Sequence, residues 1–244
     1  MTKNEGDGAI LFSNDATGAM WQFGRLPPRD GAFVLIGWTL KDNDGAVAVP
    51  VVNTLARGLV GFGRVTLPCS AVSAQRGSRW IAHGADYVGA FPFRAARGWR
   101  DALEGLFKPA ELILLSTTRE DAVRGVFDDP VYPWWHQGQF ALLSRPSTIL
   151  PDLAPRSALL GQLIEPEWAD TLNELSRGGV EAIVRPGVDG SVVGVHCRSP
   201  ETRSEVEESI RCAALDFGLN CRVLSEDAFA LLLASSRKGS PDPG

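Results

Sequence analysis

The sequence predicts an α+β fold in which a β-rich N-terminal half runs into a mixed α/β layer, followed by a small α-β-β-α-β-α sandwich unit. Three observations predict it. Short apolar runs rich in β-branched and aromatic residues, bounded by Gly, Asn and Asp, crowd roughly the first ninety positions. From Ala95 to Phe107 the apolar residues instead recur at helical steps. Beyond Pro166, helix starts, helix stops and short strand-like runs alternate with clear punctuation.

Taken in order, Ala32 to Thr39 is an apolar, β-branched and aromatic run that reads as a strand. Lys41 to Gly45 supplies turn chemistry, because Asn, Asp and Gly tolerate positive φ. Ala46 to Val52 then completes an expected hairpin, with Pro50 placing it at an edge or a bulge. Leu59 to Leu67 alternates with a period of two and reads as a further strand, bent at its glycines.

The helix expected over Ala95 to Phe107 carries Trp99, Leu103 and Leu106 on one face and ends before Pro109. Glu111 to Ser116 reads as a buried strand because its centre is four consecutive branched aliphatic residues. Thr117 and Glu120 have the spacing of a capping box and open a short helix through Phe127. Gln139 to Ser144 is the next strand, and strand–helix–strand in this order suggests a parallel crossover, although the short connection leaves an antiparallel path open.

Pro146, Pro151 and Pro155 with small polar neighbours over residues 145–157 point to a linker, set at 148–157, between a first domain, 1–147, and a C-terminal unit, 158–236. That unit opens with a helix from Pro166 that Gly178-Gly179 stops. A hairpin of Val180 to Arg185 and Ser191 to Cys197 follows. Ser199 caps a helix with Pro200 in its first turn and Gly218 as its stop. Cys221 to Leu224 is a strand, Ser225 caps a last helix, and residues 237–244 form a frayed tail.

Composition narrows the function classes. No apolar run approaches the roughly 20 residues of a membrane-spanning helix, and Met1 to Gly8 holds no apolar stretch that could serve as a secretory signal. Cys69, Cys197, Cys212 and Cys221 show no CxxC spacing and read as reduced thiols of a cytoplasmic protein, so neither a metal nor another cofactor is expected. The net charge of −5 hides an asymmetry. Residues 46–100 hold seven arginines against the single acid Asp86, whereas 101–244 is strongly acidic.

Two segments could carry function. Asp128 to Gln139 packs carboxylates, Tyr132, Trp134, Trp135 and His136 between prolines, which suits a stiff loop that binds a partner with little entropy loss. The same residues would fill a core as an aromatic plug, or make His136 a general base oriented by Asp128 or Asp129. Arg94, Arg97 and Arg100 step along the predicted helix beside Trp80 and Trp99, a mixture that suits phosphate and base contacts. Arginines outnumber lysines twenty to four in an acidic protein, and that argues against nucleic acid and for protein docking or internal pairing.

The other histidines and glycines carry less. His83 belongs to a turn, and His196 and Cys197 alternate on a strand, so they point to opposite faces and cannot share one metal. Gly58 to Gly63 lacks the following Lys and Ser or Thr of a phosphate loop. The expected function is a non-enzymatic cytoplasmic protein-binding module, an adaptor, regulator or inhibitor, that uses Tyr132, Trp134, Trp135, His136, Arg94, Arg97 and Arg100 on a partner protein. The alternatives are a small-molecule enzyme using His136 and an RNA- or anion-binding protein using the arginine-rich segment 76–100.

Overall fold

The computed structural model describes residues 8–13, 32–39, 47–70, 84–93, 110–128, 140–148, 168–187, 192–225, 227–229 and 231–232. Its strands are β1 (Ala9–Ser13), β2 (Phe33–Trp38), β3 (Arg64–Ser70), β4 (Asp86–Phe93), β5 (Ala110–Thr117), β6 (Ala141–Ser144), β7 (Val180–Pro186), β8 (Val192–Cys197) and β9 (Asn220–Val223). The helices are α1 (Val49–Phe62), α2 (Glu120–Phe127), α3 (Trp168–Ser176) and α4 (Pro200–Asp216). Helices and strands are both abundant, and the α+β class holds. None of these helices is long and apolar enough to cross a membrane.

All nine strands join one sheet in the order β4-β5-β3-β6-β7-β8-β2-β1-β9. Neighbours are antiparallel except β1 and β9, which run parallel. Most of the proposed linker, from residue 149 onward, lies outside the described residues, yet strands from both sides of it are direct neighbours. β7 pairs with β6, and β8 pairs with β2.

Both faces of the sheet are covered, which explains why β1 and β2 read as unbroken apolar runs rather than alternating ones. Ile10, Phe12, Val34 and Ile36 pack on one side with Leu55 of α1, Val123 of α2 and Ile210 of α4. Leu11, Phe33 and Leu35 point the other way, into a second core with Leu172 and Leu175 of α3 and with Phe229.

Three expectations need correction. Ala46 to Val52 is not the return strand of a hairpin, because Val49 already starts α1 and Pro50 lies in its first turn. Proline is tolerated there because the first N–H groups of a helix have no partner within it. The expected strand Leu59 to Leu67 is likewise divided, with α1 running to Phe62 and β3 starting at Arg64. Val51, Val52, Leu55, Leu59 and Phe62 are all buried, at spacings that only a helix places on one face.

Gly58 and Gly61 lie within α1 on the side that meets α4, whereas Gly63 follows the helix and lies against Ser144. A methyl group on Gly58 would lie 2.6 Å from Cγ1 of Ile210, so α1 and α4 approach more closely than any side chain at this point permits. Ser209 Oγ donates to the Gly58 carbonyl at 2.6 Å across the same contact.

The third correction concerns Thr117, which is not the helix cap. Arg119 occupies the N-cap position of α2 without a side-chain bond. Thr117 Oγ1 instead accepts from the Arg119 N–H at 2.9 Å and donates to the Gly84 carbonyl. The hydroxyl is thus used to turn the chain out of β5 before the helix begins.

Other expectations hold. β5 and β6 are both antiparallel to β3, so β5–α2–β6 is a parallel crossover, with β3 lying between its strands. β7 and β8 form the expected hairpin. Ser199 caps α4 by accepting from the Thr202 N–H at 3.2 Å, and Gly218 ends that region at φ +71°. Ser225 Oγ accepts from the Ala228 N–H ahead of the helical residues 227–229.

Candidate functional site

Tyr132, Trp134, Trp135 and His136, with Asp129, lie outside the described residues, as do Arg94, Arg97, Arg100 and the predicted helix 95–107. His83 lies outside them too. Asp128 is described: it is exposed and ends α2, its N–H donating to the Arg124 carbonyl at 2.9 Å.

Two arginines of the basic stretch are described, and the molecule's own acids engage both. Arg57 Nε meets Glu120 at 3.0 Å and its Nη1 meets Asp216 at 3.1 Å, while the guanidinium lies 4.5 Å above the Phe217 ring. One side chain thereby joins α1, the start of α2 and the end of α4. Arg64 donates to the Thr148 carbonyl at 3.1 Å and pairs with Asp86 at 3.4 Å.

A second ionic cluster surrounds Glu181, which is buried at the irregular register between β6 and β7. Its Oε2 lies 3.3 Å from Arg198, 3.9 Å from Arg145 and 3.3 Å from the Thr202 hydroxyl. Arg145 also pairs with Glu205 and sits 5.1 Å over the Phe62 ring. The cluster ties the ends of β6 and β8 to the first turns of α4, and burying a carboxylate is costly unless such partners bond it.

His196 and Cys197 do point to opposite faces. The His196 ring lies 4.7 Å from the Phe33 ring on the α3 side, whereas Cys197 belongs to the core beneath α4. Burial, reinforced by the positive charge of Arg185, pushes the imidazole down to about 3. Burial pushes the Cys197 thiol up to about 12, with the Glu207 carboxylate acting in the same direction. A thiol of that kind is no nucleophile near neutral pH. Among the described residues no group of three His, Cys, Asp or Glu side chains could hold a metal ion.

Among the described residues the sheet ends at β4 on one side and at β9 on the other, and at β9 the direction of each backbone group can be traced. Asn220 donates to the Gly8 carbonyl at 3.1 Å and Leu224 to the Phe12 carbonyl at 2.8 Å, so the even-numbered residues face β1. Strand geometry then turns the N–H and C=O groups of Cys221 and Val223 outward, away from the sheet. The strand is correspondingly exposed.

Apolar side chains gather in the same part of the chain. Among the described residues, four of the five exposed large hydrophobics fall between 215 and 232, namely Leu215 at 67%, Val223 at 57%, Leu231 at 72% and Leu232 at 36%. Leu215 lies in the last turn of α4, and Leu231 and Leu232 follow Phe229, whose ring packs on Gly37 at the opposite sheet face. Local sequence shows β9 as a strand but not as an edge. The nearest signal was the weak apolar content of Asn220-Cys221-Arg222-Val223 beside the other strands.

No known protein family, curated protein or solved structure matches the chain.

Proposed function

We propose that the chain is a non-enzymatic protein-binding module that takes up an extended segment of a partner along β9. The observation that carries this reading is the outward backbone of Cys221 and Val223 on a strand whose Val223 side chain is itself exposed. An unpaired strand edge offers alternating donors and acceptors that another strand satisfies, and neighbouring apolar side chains add burial. Full burial of one Val or Leu contributes about 1.5–3 kcal/mol, against an association cost of about 4–15 kcal/mol. A four-residue edge is therefore a weak site by itself. Further contact from Tyr132, Trp134, Trp135 and His136, and from Arg94, Arg97 and Arg100, would make it a specific one. The free thiols of Cys197, Cys212 and Cys221 support a reducing, cytoplasmic setting for such a module.

Affinity capture from the source cells tests the edge directly. Val223→Pro removes one outward N–H and leaves the even-numbered residues to bond β1. With an unchanged circular dichroism spectrum and melting temperature, this variant is expected to lose partners that the wild type retains. Equal recovery by the two proteins overturns the edge reading. A Trp134→Ala, Trp135→Ala double variant separates the aromatic loop, since loss in that variant alone would move the binding surface there.

A further inference from the structure

We draw no further inference here: the strongest candidate, the two thiols that Cys212 on α4 and Cys221 on β9 place beside the open sheet edge, rests only on the effect of Cys212 on the titration of Cys221.

Discussion

His196 shows how a single position can set a pH response. Its ring lies against Phe33, and burial with the nearby Arg185 charge holds its pKa at about 3 in the folded chain. The unfolded imidazole takes up a proton near pH 6.5. Below that pH the unfolded state binds more protons, so stability is lost as pH falls from about 6.5 toward 3. Above pH 6.5 the contribution is fully present. The slope from this group approaches about 1.4 kcal/mol per pH unit. Urea midpoints between pH 7.5 and 5.5 check it, because most carboxylates remain ionised across that window. His196→Gln is expected to flatten the dependence, and equal slopes in the two proteins would show that the imidazole carries no such burden.

Between α1 and α4, Gly58 and Gly61 occupy positions where alanine would ordinarily strengthen a helix by about 1 kcal/mol each. The neighbours decide otherwise. A methyl on Gly58 meets Cγ1 of Ile210 at 2.6 Å and its backbone Cα at 2.8 Å, which cannot yield without moving a helix. A methyl on Gly61 meets only the Ser209 hydroxyl, also at 2.6 Å, which can turn to another rotamer at the loss of its bond to the Gly58 carbonyl. Gly58→Ala is accordingly expected to destabilise by about 1–3 kcal/mol, and Gly61→Ala by clearly less. Chemical denaturation of the two variants measures this ordering, and a Gly58→Ala protein as stable as wild type would contradict the close crossing. The misreading of α1 as strand has the same root. Valines and glycines look strand-like locally, and only the opposing surface of α4 gives Gly58 its purpose.

At the scale of the molecule, one sheet draws its strands from both ends of the chain. β7 and β8 stand between β6 and β2, and β9 lies outside β1. A fragment spanning 158–244 would carry β7, β8 and β9 away from every neighbour except each other's hairpin partner. The helices α3 and α4 travel with the hairpin, but its two edges lose β6 and β2, β9 loses β1, and α4 loses the face of α1 on which it packs. The fragment is expected to remain unfolded by itself and to gain structure when mixed with 1–157. A well-dispersed amide spectrum from the isolated fragment would overturn this expectation and favour an autonomous C-terminal unit.

Residues a few positions apart settled much of the secondary structure. Ser199 followed by Pro200 announces α4, Gly218 ends it, and the continuous aliphatic run in β5 marks a strand that buries Leu114 and Leu115 in opposite cores. These signals are legible because capping, positive φ and burial act on neighbouring groups. The candidate site was legible only in part. The strand at β9 could be read locally, whereas its standing at an edge depends on which strand lies beside it and which does not. Any exposed strand offers the same backbone groups, so pairing energy alone does not choose β1 for β9. Tertiary structure made that choice by burying Ile10 and Phe12 beneath α4 and Leu11 on the opposite face. It thereby left the backbone groups of Cys221 and Val223 turned away from the sheet.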